Sequence, residues 1–232
     1  MTTAHTLTGR CGAAVVLIAP LVLLTGFALH PWIGAGLPDQ SAVATAAADH
    51  TTRWGVAHLA IGAGSGLLAV AFLAAYLGLP AVGREHRAER AIPLIVLGSA
   101  LYALLPGMEM APLAAAEAGV DIEAVAEELV PWFVPIHLVG GLLFAVGVVT
   151  FRAGIADSGI LGTGPARIAG GALLVLAVSR LVPVTLVNFY VQGLAGIAAL
   201  WSLALAMRNE AGRGAPVSRS LAETTQLGGS AM

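Results

Sequence analysis

The sequence predicts an all-α membrane protein: a polytopic bundle of about six transmembrane helices with both termini in the cytoplasm. Three observations carry that expectation. Of the 232 residues, 58% are hydrophobic and only 10% charged, whereas an ordinary soluble domain carries roughly 25% charged residues. Mean hydropathy is +0.88, which leaves too little polar surface to face water. Long apolar runs alternate with short clusters of Arg, Asp, Glu and Pro, the pattern of successive membrane spans.

Six runs are each near the roughly 20 residues that a helix needs to cross hydrocarbon: Ala13 to Trp32, Trp54 to Leu79, Ala91 to Met110, Trp132 to Phe151, Ala166 to Val184 and Leu186 to Met207. They divide the chain into an N-terminal tail (1–12), a membrane domain (13–207) and a C-terminal tail (208–232). That last segment, rich in Gly, Ser, Thr and Arg, is predicted to be disordered. Pro93 and Pro165 stand where a first helical turn tolerates proline, and Pro106 and Pro183 mark where spans end or kink. Trp32, Trp54 and Trp132 sit at span edges like interfacial anchors. The fifth and sixth runs are separated by Thr185 alone. A small-x-small site at Ala44-Thr45-Ala46 raises the alternative of a cleaved signal peptide. The first run is too long, and the site too distant, for an apolar region of about 7–15 residues with cleavage close behind it, so the run is read as a span.

Orientation follows from arginine. With the amino terminus inside, Arg10, Arg84, Arg87, Arg90, Arg152, Arg167, Arg208, Arg213 and Arg219 all fall on the cytoplasmic side, leaving Arg53 and Arg180 as exceptions. The opposite side is acidic, with Asp39 and Asp49 in one loop and Glu117, Asp121, Glu123, Glu127 and Glu128 in another. In that second loop Ile122, Val125 and Leu129 recur at helical spacing behind Asp121 as an N-cap, predicting a short helix on the outer surface. Arg84 to Arg90 reads as an orienting juxtamembrane cluster, diluted by Glu85 and Glu89.

A threefold pattern runs through the spans: Trp54-x3-His58 with Gly62, Trp132-x4-His137 with Gly140 and Gly141, and Gln192 with Gly196, each after a span ending near Pro31, Pro106 or Pro183. It hints at one hairpin used three times.

Several function classes are excluded. There is no lysine, so Schiff-base chemistry is absent. The single Cys11 supplies neither a disulfide nor a thiolate cluster within one chain. A net charge of −2 gives no basis for nucleic-acid binding. The sequence contains neither His-Glu-x-x-His nor Gly-x-Ser-x-Gly, and Gly62 to Gly66 lies inside a span rather than between strand and helix.

What remains is a set of ionisable groups within the spans, which are costly in lipid and therefore mark function. His58, Glu109, His137 and Arg180 collect toward one leaflet, joined by His30, Arg53, Asn188 and Gln192. Counted from their Trp anchors, His58 and His137 share a depth, about 6 and 7.5 Å at 1.5 Å per residue. Each lies on a small-residue face, which suits close helix packing or a flat cofactor between helices. One reading makes His58 and His137 the axial ligands of a b-type haem, with Arg53 or Arg180 pairing its propionates, for electron transfer to a membrane redox partner. A second uses Met108, Glu109 and Met110 with the same histidines as a copper site. A third makes Glu109, His58 and His137 a proton relay or substrate grip in a transporter or intramembrane enzyme, with Arg180 neutralising the carboxylate. So small a bundle would transport as a homo-oligomer. Against all three stands the purely structural alternative, in which each His hydrogen-bonds across a helix interface and the glycines only pack helices.

Overall fold

A computed structural model describes residues 2–34, 36, 39–79 and 86–213. Arg84, Glu85, Arg219 and most of the C-terminal tail therefore lie outside the described residues. The described chain is helical: α1 (Thr2–Leu29), α2 (Gln40–Asp49), α3 (Thr51–Gly78), α4 (Arg87–Met108), α5 (Met110–Ala118), α6 (Ile122–Ser158), α7 (Thr163–Ser179), a π-helical turn (Leu186–Val191) and α8 (Gln192–Arg213). Among the described residues the only extended pairing is an isolated bridge between Gly36 and Val184.

Among the described residues, five helical stretches are long and apolar enough to cross a bilayer: Arg10–Leu29, Thr51–Gly78, Arg87–Ala118, Ile122–Ser158 and Leu186–Glu210. α7 is apolar but has only 17 residues, about 25 Å at 1.5 Å per residue against a hydrocarbon thickness near 30 Å. Leu59, Leu77, Leu142, Ile168 and Leu194 are all more than half exposed on the outside of the bundle. In water such a surface would be an aggregation liability, whereas lipid solvates it.

The long helices form a closed ring in chain order, α1 against α3, α3 against α4, α4 against α6, α6 against α7, α7 against α8 and α8 back against α1. Three sequential hairpins thus stand side by side, the arrangement that the threefold pattern anticipates. Glycine permits the closest contacts. A Cβ on Gly64 of α3 would lie 2.7 Å from the Leu23 backbone of α1, and one on Gly98 of α4 would lie 2.5 Å from the Phe144 backbone of α6. The middle of the ring is filled by aromatic side chains, with Phe72 edge-on to Phe144 at 5.8 Å and to Phe151 at 5.5 Å.

One end of the ring is capped. α2, α5 and the start of α6 pack together over it around Ile33, Val43, Ala46, Ala47, Trp54 and Ala126. Four sequence expectations change here. The loop after the first span contains α2, capped by the Asp39 carboxylate accepting from the Ala42 amide at 3.0 Å. Asp121 is an N-cap as expected, accepting from Ala124 at 3.1 Å. The helix it starts is not a separate surface element, however, because it runs unbroken into the span for 37 residues. Pro131 and Pro135 fall inside it without ending it. α7 stops at Ser179 rather than Val184, and the chain resumes as a π-turn. Trp54 is not an interfacial anchor: the cap covers it completely, at 0% exposure, while Trp32 and Trp132 remain 59% and 70% exposed.

Candidate metal centre and the adjoining cavity

Beneath the cap two chain breaks meet. α1 ends because Pro31 has no amide hydrogen to continue the ladder, which leaves the Leu29 and His30 carbonyls open. Arg53 closes them, donating from Nε to Leu29 O at 2.6 Å and from its guanidinium to His30 O at 3.3 Å. This fixes His30 at 3% exposure, with its ring 4.8 Å from that of His58 and 5.0 Å from that of Trp54.

α4 and α5 are separated at Glu109, just past Pro106 and Gly107. The Trp54 indole N–H donates to the Glu109 carbonyl at 2.8 Å and pins the break against α3. One helical turn from Trp54, the His58 ring lies 2.5 Å through Nε2 from the Glu109 carboxylate Oε2.

Tautomers follow from these partners. His58 Nδ1 lies 2.7 Å from Trp54 O, and His30 Nδ1 lies 2.6 Å from Pro31 O. A carbonyl only accepts, so Nδ1 carries the hydrogen in both rings, and in the neutral ring Nε2 carries the lone pair. His30 Nε2 has no hydrogen-bond partner among the described residues, although it is buried. The His58 lone pair and a carboxylate oxygen at 2.5 Å repel unless a cation stands between them, the smallest being a proton. Ligand atoms of His30, His58 and Glu109 all lie within 4.8 Å of one another. Around a tetrahedral metal with bonds of roughly 2.0–2.1 Å, donor atoms are about 3.3 Å apart. Shifts on the order of 1 Å would therefore bring these three to one ion.

The cluster borders a cavity of about 210 Å³, walled mainly by apolar side chains such as Ile61, Leu105, Phe133 and Phe189. His30, Glu109, Tyr102, His137 and Asn188 supply its polar lining. His137 stands apart from the cluster, with its ring stacked 6.2 Å from Phe133 and 5.7 Å from Tyr102. His58 and His137 thus have different neighbours, and only His137 lines the cavity. Met108 and Met110 are half-buried, and neither lines the cavity.

A second polar centre lies behind the cavity wall. Arg180, at 0% exposure, holds its guanidinium 3.7 Å from the Phe144 ring centroid and 4.3 Å from that of Tyr102. With its amide oxygen toward Arg180, Gln192 accepts from Nε at 3.2 Å and donates to Asn188 O at 2.8 Å. Asn188 accepts from the Tyr102 hydroxyl at 2.8 Å and donates to Arg180 O at 3.2 Å. The extra residue of the π-turn brings Asn188 inward, and such turns recur at functional sites. Arg180 makes no ion pair with Glu109; the carboxylate is taken by His58.

Of the residues singled out in the sequence, the structure joins His30, His58 and Glu109 in one group and Arg180, Asn188 and Gln192 in another, with Arg53 serving the first as a helix cap. Sequence reasoning missed Tyr102 and took Trp54 for an anchor. The available signals were that Trp54 lies one helical turn from His58 and that Tyr102 lies two turns from Glu109 on the same helical run. No protein-family description, curated protein or solved structure matches this chain.

Proposed function

We propose that the chain is a six-span membrane metalloprotein, with α7 as its short sixth span, both termini in the cytoplasm and the capped end outside. In this reading its centre takes one divalent transition-metal ion at His30, His58 and Glu109. The observation that carries the reading is the shared posture of the two imidazoles. Each gives its Nδ1–H to a backbone carbonyl, the outer-shell arrangement typical of metal-ligating histidine; His58 Nε2 lies against the Glu109 carboxylate, and ligand atoms of both rings lie within 4.8 Å of it. Two nitrogens and an oxygen suit zinc best, with ferrous iron and copper(II) as further candidates. Three protein donors leave a coordination position open, as in catalytic rather than structural zinc sites, and here the neighbouring space is the cavity. Such an ion would act as a Lewis acid toward whatever occupies that space.

A haem held by His58 and His137 is the second reading, favoured by His137 on the cavity wall. It ranks lower because His58, unlike His137, is not part of the cavity wall. The cavity of about 210 Å³ is also smaller than the roughly 300–1,000 Å³ that encloses drug-sized ligands.

Metal analysis and an absorption spectrum of the purified protein test both. The expected result is about one zinc per chain, lost in His30→Ala and in Glu109→Gln, with no Soret band. A Soret band abolished by His58→Ala and by His137→Ala would replace this reading with the haem one. Failure to bind zinc, iron or copper would overturn both. Orientation is checked by labelling cysteines introduced at Arg87 and Glu123, expected to react from the cytoplasmic and outer sides respectively.

A further inference from the structure

The cavity beside the metal centre has an unusual rim. Most of its lining is buried or half-buried, and three of its residues are exposed: Asp39, Leu138 and Pro183. Asp39 caps α2 at the tip of the molecule. Leu138 is different, because it lies well inside a membrane-spanning helix, six residues past Trp132 and so about 9 Å deeper along α6. It is 52% exposed, on the same side as Val139 and Leu142, which are also more than half exposed. Those neighbours face lipid, so at Leu138 the cavity wall and the lipid-facing surface are one and the same.

The facing edge is the non-helical link between α7 and the π-turn, where Leu181 and Pro183 line the cavity. α7 is the shortest of the long helices, and its packing against α6 is the least extensive contact in the ring. An opening between Leu138 and Pro183 would therefore lead sideways into the acyl region of the outer leaflet rather than up into water. Proline at 183 removes a backbone N–H that would otherwise need a partner there.

From this rim and lining we infer that the cavity takes the acyl chain of a membrane lipid or fatty acid, admitted sideways between α6 and the α7–π-turn link, with its carboxyl or ester end toward His30 and Glu109. The second half of this statement rests on the metal reading; the first does not. The chemistry is matched at both ends. The wall is mainly hydrocarbon and aromatic, while a carbonyl oxygen is a natural ligand for the open position of a Lewis-acidic ion. At about 210 Å³, equal to roughly seven waters of 30 Å³ each, the space suits part of one chain rather than a whole phospholipid. The headgroup or the far end of the chain would remain in the bilayer.

The test uses the full-length protein in lipid vesicles with two probes, a diazirine-bearing palmitic acid and a phosphatidylcholine carrying the same diazirine acyl chain. After irradiation the labelled residues are mapped by mass spectrometry, and zinc is measured on the same samples. Leu105 and Ile61, only 4% and 5% exposed, are out of reach of bulk lipid. Labelling at either is expected in the wild type and is expected to disappear in Leu138→Trp, with zinc content unchanged. Pro183→Trp closes the same opening from the other edge and guards against misfolding of one variant. Success with palmitic acid alone identifies free acids as the ligand, and success with the phospholipid identifies intact lipid. Labels confined to outward-facing residues such as Leu142, with zinc still bound, would overturn the acyl site and leave the metal reading standing. Labelled Leu105 in a protein that binds no zinc would keep the acyl site and overturn the metal reading alone.

Discussion

Two buried polar centres lie beneath the same cap, and they are built on opposite principles. In the His30–His58–Glu109 cluster every carbonyl and N–H that fixes the rings is paired, His58 Nε2 and the Glu109 carboxylate hold a cation between them, at the least a proton, and one further imidazole nitrogen is unpartnered. Around Arg180 the charge itself is enclosed, packed against the Tyr102 and Phe144 rings with an amide on Nε, while Nη1 and Nη2 have no hydrogen-bond partner among the described residues. The first centre offers donor atoms to the cavity, whereas the guanidinium of the second does not line it. Burial of an ionisable group in a membrane protein is therefore not by itself a sign of chemistry; what separates the two is whether the unsatisfied atoms point at space. Arg180 joins α4, α6 and the start of α8 through Tyr102, Phe144 and Gln192, so its role is to hold the third hairpin to the second.

The comparison can be broken most forcefully at Phe144. Its ring packs against Arg180 and Phe72 and is fully buried, so Phe144→Ala should cost about 3–5 kcal/mol. Thermal unfolding in detergent would register the loss, while zinc per folded chain stays at the wild-type value. A fall in zinc binding equal to the fall in stability would mean that the two centres are not independent. His58→Ala comes next: it strips Glu109 of its partner and should cost about 1–3 kcal/mol together with the metal. His30→Ala removes a ring packed on Trp54, His58 and Phe189 and bonded to Pro31 O, so it should also cost about 1–3 kcal/mol together with the metal. Metal retained in a folded His30→Ala protein would remove His30 from the site. Trp54→Phe keeps the ring and removes the donor to Glu109 O. About 1 kcal/mol of stability and a 10- to 100-fold loss in zinc affinity by titration are expected. The smallest effect belongs to Arg87→Ala, whose ion pair with Asp157 spans 3.9 Å on an exposed surface and is worth about 0–1 kcal/mol.

The helical architecture was legible in the sequence because lipid imposes one rule, a long apolar run, that needs no knowledge of neighbours. Spans starting at Trp54 and Ala91 fall close to α3 and α4 for that reason. What periodicity did not reveal was set by contacts across the ring. α2 carries too little hydrophobicity to be noticed as a span and exists because Asp39 caps it and Trp54 lies beneath it. α6 absorbs the outer helix because nothing between Leu129 and Trp132 breaks the ladder except Pro131, whose missing hydrogen bond the helix tolerates. At the site, counting from the Trp anchors assigns His58 and His137 one depth, but depth says nothing of azimuth, and His137 is not in the group that His58 joins. Glu109, three residues past a proline and at the end of its span, is the group that turns toward His58. His30 joined the candidates only as a neighbour, although its position before Pro31 is what ends α1 and sets its ring against the others.

Zinc K-edge X-ray absorption on the zinc-loaded protein examines the ion's surroundings without recourse to activity. The account predicts a first shell of nitrogen and oxygen at about 2.0–2.1 Å with imidazole scattering from two rings, and no sulfur near 2.3 Å. A shell containing sulfur from Met108 or Cys11, or one of water oxygens without imidazole, would contradict it.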